Sequence, residues 1–160
     1  MYCIVSPEDP ATDDAQALID ELSAVLAGIT GDSGRSSFDP NDVRGEHARF
    51  VVARDVDDRA VGCGAIRPLP EGIAELKRMY ARPGTAGVGS AVLAHLEAAA
   101  KDIGYSVLRL ETRQVNHRAV SFTNVTAIPA SRISASTPAT PRPSAWESGC
   151  SLSYTACYYL

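Results

Sequence analysis

The sequence predicts an α/β fold in which a mixed, mostly antiparallel central sheet is flanked by helices. Three observations lead to this prediction. An amphipathic helical pattern covers residues 13–29. Two β-rich runs, residues 48–55 and 60–69, are separated by a hairpin-like segment, and a third run follows at 72–82. A glycine-rich turn, a helix and a further strand at 105–112 come next, and a strand after a helix implies a parallel crossover.

Length and composition are ordinary for one globular domain. The chain has 160 residues, 45% of them hydrophobic and 21% charged, with a formal net charge of −4. This balance gives no reason to expect nucleic acid or an anionic membrane as partner, and no apolar run is long enough to span a bilayer. The first residues lack the pattern of a signal peptide, so a cytoplasmic location is expected. No Cys/His cluster has metal-site spacing, so no metal is expected.

The first helix, residues 13–29, follows a short β-rich run at residues 2–6. Its apolar positions recur at helical spacing and predict a buried stripe, formed by Ala17, Leu18, Leu22, Val25, Leu26 and Ile29. Residues 30–43 have no period and are rich in Gly, Ser, Asp and Pro, which predicts a surface loop or short helical turn. Two interpretations of this loop stay open, a lid on the substrate side and a plain connector.

The third β-rich run alternates, so its side chains are predicted to divide between two faces of the sheet. One face takes Ile73, Glu75, Lys77 and Met79, and the other takes Ala74, Leu76, Arg78 and Tyr80. In the preceding run, Gly62 and Gly64 weaken a strand interior and are compatible with a bulge. Cys63 lies in the same apolar run and is predicted to be a buried thiol.

Residues 83–90, called the glycine turn below, stand between a strand and the helix at 88–102. Such a turn lets backbone N–H groups converge on an anion at a helix N-terminus. A P-loop would need a lysine after Gly89, and a dinucleotide fingerprint would need a third glycine where Val92 stands. The helix ends at a fitting cap, Gly104, and its predicted apolar stripe consists of Val92, Leu93, Leu96 and Ala100.

The residues around the glycine turn carry a family resemblance. ELKRMYARP, then G-x-G, then SAVLAHLEAAAKDIGYSVLRLET, closely resemble the GNAT family of N-acetyltransferases, over about residues 2–122. The resemblance implies the acyl-CoA N-acyltransferase fold, with acetyl-CoA as co-substrate and transfer of its acetyl group to a primary amine by direct attack in a ternary complex. In that family the turn holds the cofactor's pyrophosphate with backbone N–H groups, and the strand before it splays from its neighbour and pairs with the pantetheine arm.

This resemblance implies a set of cofactor-binding residues: Met79, Tyr80, Ala81, Arg82, Thr85, Ala86, Gly87, Val88, Gly89, Ser90 and Asn116. One departure from the family pattern Arg/Gln-x-x-Gly-x-Gly/Ala stands out, because Gly84 occupies its leading position. We therefore expect Arg82 to take over part of the phosphate contact, and we expect weaker binding of the cofactor.

Two carboxylates are candidates for the base that makes the acceptor amine neutral. Glu75 lies on the strand before the turn, where family members often place a base that acts through water; alternatively it is a solvent-facing strand residue. Glu111, near the end of the next strand, is the second candidate. The expected acceptor is a small-molecule amine or a peptide or protein amine, and a homodimer is left open. The alternatives are a non-catalytic acyl-CoA-binding pseudoenzyme and an inactive frameshifted product. A protein that acts only as an interaction partner is a further rival, with no supporting feature beyond the acidic net charge.

The resemblance stops after Phe122. The family usually continues with a tyrosine that serves as general acid to the leaving thiolate, whereas this chain has Thr123. Residues 1–122 are therefore interpreted as an incomplete domain, and residues 123–160, rich in Ser, Thr, Ala and Pro, as an aberrant tail predicted to be disordered and to supply no strand. We hypothesise a reading-frame change here, because codons displaced by one base permit the family's continuation, Tyr-Glu-Arg-His-Gly-Tyr. The domain's C-terminal strands would then be missing or replaced.

Overall fold

The structure, a computed structural model, describes residues 2–35, 38–113 and 153–159. In chain order they form β1 (Ile4–Pro7), α1 (Asp13–Thr30), β2 (Arg49–Arg54), β3 (Ala60–Leu69), β4 (Ile73–Ala81), α2 (Val88–Ile103), β5 (Val107–Arg113) and β6 (Ser153–Tyr159). Two short 3-10 turns, Pro40–Val43 and Pro70–Gly72, precede β2 and β4. Among the described helices, none is long and apolar enough to cross a membrane.

The six strands form one sheet in the order β1-β2-β3-β4-β5-β6. The first four strands pair antiparallel, and β4, β5 and β6 pair parallel. The predicted α/β fold, with a mixed and mostly antiparallel sheet, is therefore confirmed. The hairpin between β2 and β3 and the parallel placement of β5 beside β4 are confirmed with it.

The prediction that the tail supplies no strand is wrong. β6 pairs with β5 from Val107↔Ser153 to Arg113↔Tyr159, so a strand from the tail covers that edge of β5. The open edge of a strand offers unpaired N–H and C=O groups, and the Tyr- and Thr-containing sequence of β6 suits a strand. The predicted boundary between residues 122 and 123, and the rest of the tail up to residue 152, lie outside the described residues.

Helix α2 packs on one face of the sheet through the apolar stripe that the sequence predicts. Val92, Leu93, Leu96 and Ala100 are buried as predicted, and Val88 joins them. The helix lies close to β3 because that strand carries glycines: a Cβ atom at Gly64 would stand 2.7 Å from the Cγ1 atom of Val92. The helix ends at Gly104, which has the left-handed conformation of a cap.

Helix α1 packs on the opposite face with a stripe that only partly matches the predicted one: Leu18 and Leu22 are buried as predicted. Ala17 is exposed, and Val25 and Ile29 keep 40% and 42% of their surface. The buried residues are Ala15, Leu18, Ile19, Leu22 and Ser23. The prediction failed because it followed apolar residues alone, whereas the helix buries the polar Ser23, whose hydroxyl donates to the carbonyl of Ile19.

The predicted alternation along β4 is also wrong beyond Lys77. Ala65 pairs with Lys77 and Cys63 pairs with Tyr80, so two residues of β4, Arg78 and Met79, stand opposite Gly64 alone. This is a β-bulge, and Arg78 has a φ of 52°. The bulge compatible with the β3 glycines therefore lies on the facing strand. It turns Arg78 and Tyr80 toward α1, while Met79 packs with the core under α2.

Candidate functional site

The centre of the candidate site is an opening between β4 and β5. The two strands pair only from Ile73↔Val107 to Leu76↔Leu110. Beyond that point β5 continues beside β6, while β4 continues beside β3 through its bulge. Residues 77–81 of β4 therefore have no strand partner on the β5 side among the described residues. The splay that the family resemblance implied is present.

The glycine turn follows β4 and places the N-terminus of α2 at the end of this opening. Gly87 caps the helix with a φ of 85°, and the first intrahelical hydrogen bond runs from the Ala91 N–H to the Gly87 carbonyl. The N–H groups of Val88, Gly89 and Ser90 therefore precede the helical ladder and have no acceptor within it. The first turn contains no acidic side chain and no side-chain cap. This arrangement can accept an anion, because the helix dipole favours negative charge there.

Arg82, which is predicted to contact phosphate, forms an ion pair with Glu21 of α1. Its guanidinium donates to the Glu21 carboxylate, with an Nη2–Oε1 distance of 2.6 Å, and to the Ala60 carbonyl at 2.6 Å. These hydrogen bonds from Arg82 hold the pKa of the Glu21 carboxyl below its usual value. A phosphate contact by Arg82 would therefore have to compete with Glu21.

Glu75 is buried rather than solvent-facing, with 3% of its surface exposed. Its carboxylate accepts from the Arg67 Nε at 2.6 Å and lies 3.3 Å from the Lys77 Nζ. Arg67 also contacts Asp42 of the Pro40–Val43 turn at 2.8 Å, so the network ties this turn to the sheet. A carboxylate has about four lone-pair sites, so these two partners leave room for a water molecule.

The second candidate base, Glu111, follows the last residue of β5 that pairs with β4. Glu75 and Glu111 thus lie on the two strands that bound the base of the opening. Asn116, the remaining predicted cofactor residue, lies outside the described residues.

Arg78 connects the bulge to the loop after α1. Arg78 is 8% exposed, and its guanidinium donates to the Gly34 carbonyl at 2.6 Å and lies 4.8 Å from the centroid of the Phe38 ring. The loop is therefore tied to β4 next to the opening, although its roles as lid or as connector both stay predictions. Burial lowers the pKa of this guanidinium, which still remains a cation.

Sequence reasoning missed three groups at this site: Glu21, Arg78 and the Arg67–Asp42 pair. Each acts through a partner distant in sequence; Arg82, for example, lies 61 positions after its partner Glu21. The one local signal for Arg78 is the pair of glycines on the facing strand. Among the described residues, no cluster of three His, Cys, Asp or Glu side chains could hold a metal ion.

Comparison with known proteins agrees with this geometry. The model of the acetyltransferase (GNAT) family matches residues 16–124, more than half of the chain. The chain belongs to this GNAT family. The match ends two residues after Phe122, close to the point where the resemblance in the sequence stops.

Solved GNAT structures share the fold. One, from Klebsiella pneumoniae and described as a candidate acyl-CoA N-acyltransferase, is 29% identical, with a TM-score of 0.64 over 78% of this chain and 81% of that chain. A GNAT acetyltransferase from Staphylococcus aureus has the same TM-score at 14% identity, covering 78% of this chain and 83% of its own. An uncharacterized N-acetyltransferase of Schizosaccharomyces pombe is 38% identical over 69 residues, 41% of this chain and 42% of that protein. The chain thus matches less than half the length of this curated relative.

Proposed function

We propose that this protein is an acetyl-CoA-dependent N-acetyltransferase that transfers the acetyl group to a primary amine by direct attack in a ternary complex. One observation carries the proposal: β4 splays from β5 directly before a glycine turn whose helix presents unpaired N–H groups. Membership of the GNAT family supports it. The acceptor is a small-molecule amine or an amine of a peptide or protein.

The glycine turn and the splayed half of β4 would hold acetyl-CoA at two points. The N–H groups of residues 87–90 suit the pyrophosphate, since both their direction and the helix dipole favour an anion. The backbone of Met79, Tyr80 and Ala81, which has no strand partner on the β5 side among the described residues, suits the amides of the pantetheine arm, much as an added strand would pair with it. Together these contacts would carry the thioester into the opening.

Glu75 is our first candidate for the base. Its burial favours a relay through water, because the carboxylate itself is closed to a bulky amine. The amine transfers a proton through water to Glu75, and its nitrogen forms a bond to the acetyl carbon. The C–S bond of the thioester then breaks, and the leaving thiolate takes up a proton. Glu111 is the alternative base. We expect Glu75→Gln to lower kcat about 100-fold with little change in the KM for acetyl-CoA, and Glu111→Gln is the matched comparison.

The test is a titration with acetyl-CoA by calorimetry, followed by an assay of thiol release with a panel of alkyl amines, amino sugars and peptides. Binding together with amine-dependent thiol release supports the proposal. Absence of binding contradicts it. Binding without release with any acceptor favours the second candidate function, a non-catalytic acyl-CoA-binding protein.

Two sequence features favour that second candidate. Thr123 replaces the family's usual tyrosine, and Gly84 replaces the leading basic residue of the turn. We attribute the first feature to the hypothesised change of reading frame after Phe122, and a third candidate is therefore an inactive product of that change. Sequencing the gene around this codon decides the matter, since an uninterrupted frame with unrelated codons would end the hypothesis. If the present chain releases no thiol with any acceptor, acetyl transfer by a frame-restored variant would support this third candidate.

A further inference from the structure

Every nitrogen of the Arg82 guanidinium already has an acceptor. Nε lies 3.0 Å and 3.2 Å from the two Glu21 carboxylate oxygens, Nη2 lies 2.6 Å from Oε1, and Nη1 lies 2.6 Å from the Ala60 carbonyl. Such paired contacts between a guanidinium and a carboxylate are geometrically specific. They direct the side chain of Arg82 toward α1 and the start of β3.

The main chain of Arg82 fixes the start of the glycine turn at the same time. Its N–H donates to the Val61 carbonyl at 2.9 Å. Its own carbonyl accepts from the Thr85 hydroxyl at 2.5 Å and from the Thr85 N–H at 3.3 Å. Arg82 therefore joins α1, β3 and the turn, so a shift of its side chain would displace the start of the turn.

Glu21 also reaches the splayed half of β4. The Tyr80 hydroxyl donates to the second carboxylate oxygen of Glu21 at 3.2 Å. The same carboxylate thus holds both the residue that begins the turn and a residue on the strand that borders the opening.

We propose that Glu21 and Arg82 are a positioning pair that holds the glycine turn and the end of β4 against α1, and that Arg82 is not a phosphate ligand. The inference rests on the proposed acetyl-CoA site and specifies how that site is kept in shape. Glu21 lies outside the turn and its motif, and on this proposal it contributes to binding of the cofactor indirectly, by holding Arg82. The phosphates are held by the backbone of the turn.

A double-mutant cycle separates a positioning pair from a phosphate ligand. The variants are Glu21→Gln, Arg82→Gln and the two combined, in the full chain, and the measured quantity is the Kd for acetyl-CoA by calorimetry. The side chains of Arg82 and Glu21 are 35% and 38% exposed, so we expect each single change to weaken binding only about fivefold. The double variant should be no weaker than either single variant, because the pair acts as one unit.

Two results would overturn the proposal. If Arg82→Gln weakens binding while Glu21→Gln leaves it unchanged or tighter, Arg82 contacts the phosphates and Glu21 competes for it. If neither single variant changes the Kd, the pair does not position the turn. Failure of the unmodified chain to bind acetyl-CoA would instead count against the proposed function, so the two failures are distinguishable.

A matched control comes from another exposed ion pair. Arg44 contacts Asp9 at 2.8 Å, away from the turn and from α2, with side chains 39% and 57% exposed. The change Arg44→Gln should leave the Kd for acetyl-CoA unchanged. Thermal melts of all variants establish that each one is folded. If Arg82→Gln does not melt cooperatively, Arg82→Lys replaces it, and its expected loss of binding is smaller.

Discussion

The two faces of the sheet hold their helices by different means. Three polar or charged side chains are buried among the described residues, Ser23, Glu75 and Arg78, and all three lie on the face that carries α1. The face under α2 is apolar and is drawn close by the glycines of β3. A buried charge is tolerated only where it is paired. The α2 face should therefore respond to changes of volume, and the α1 face to changes of charge.

The two faces therefore contribute different kinds of group to the region around the glycine turn. The α2 face fixes the position of the N-terminus of α2, and it does so through apolar contacts. The α1 face carries the ionised side chains, among them Glu75 at the base of the opening and the Glu21–Arg82 pair. Each of the following changes should affect one face and spare the other.

The largest effect is expected from Gly62→Ala, on the α2 face. The added Cβ would stand 2.6 Å from the Cγ1 atom of Val88 and 2.7 Å from the Tyr80 carbonyl oxygen. Since a backbone atom cannot move aside easily, the change should lower the free energy of unfolding by about 3 kcal/mol. Urea denaturation measures it. Gly28→Ala is the control, because nothing lies within 4 Å of its Cβ and alanine favours a helix by about 0.5–1 kcal/mol. Equal midpoints for wild type and Gly62→Ala would refute the tight packing.

Glu75→Ala should have the next largest effect, on the α1 face. It leaves Arg67 and Lys77 without the buried carboxylate, while both cations keep some exposure, 27% and 19%. We therefore expect a loss of about 2 kcal/mol, below the range for fully buried pairs. Asp57→Ala, which removes a contact with Arg59 between exposed side chains, should change the unfolding free energy by less than about 0.5 kcal/mol. A similar small change for both variants would mean that the Glu75 network contributes no stability.

A third prediction concerns Cys63, whose thiol faces α1 and donates to the Arg78 carbonyl at 3.4 Å. Burial raises the pKa of this thiol from 9.0 to about 12. Because the folded-state pKa is the higher one, its contribution to stability is complete below pH 9 and is lost as the pH rises from 9 toward 12. Between pH 8 and pH 10 the wild type should lose about 1.4 kcal/mol through this group.

The variant Cys63→Ala has no thiol to ionise and lacks that loss. The amount by which its free energy of unfolding falls below that of the wild type should therefore shrink from pH 8 to pH 10. Urea denaturation at both pH values measures the difference, and other titrating groups cancel in the comparison. A deficit that stays constant would show that the thiol ionises as readily in the folded chain as in the unfolded one.

The smallest effect is expected at the outer side of α1. Ile29 is 42% exposed, so Ile29→Ser should cost less than about 1 kcal/mol. Leu18→Ser, at a fully buried position of the same helix, should cost several times more. Thermal melts of the two variants check the position of the buried stripe. Equal losses of stability for the two variants would mean that Ile29 is buried, as apolar spacing alone predicts.

The accuracy of sequence reasoning followed the same division between faces. The stripe of α2 was predicted correctly because its partner face is apolar, so that apolar spacing reports burial directly. On α1, the buried Ser23 interrupts the apolar pattern. Several residues of the predicted stripe therefore lie on the side of the helix that faces away from the sheet. The bulge at Arg78 depends on the pairing of β4 with β3, which alternation within one strand cannot reveal. Likewise, β6 depends on the open edge of β5, and the partner of Arg82 comes from a distant helix.

The contact between Gly62 and Val88 bears on the thermodynamics of ligand binding. Val88 is the first residue of α2, and its side chain touches a strand backbone that has no side chain to adjust. The N–H groups beside it therefore lose their conformational freedom when the protein folds, and little is left to lose when an anion arrives. We expect association to proceed without a slow ordering step, with an entropy change that reflects released water more than an immobilised loop. The missing side chain of Gly62 therefore lets Val88 fix the N–H groups at the start of α2 before an anion binds.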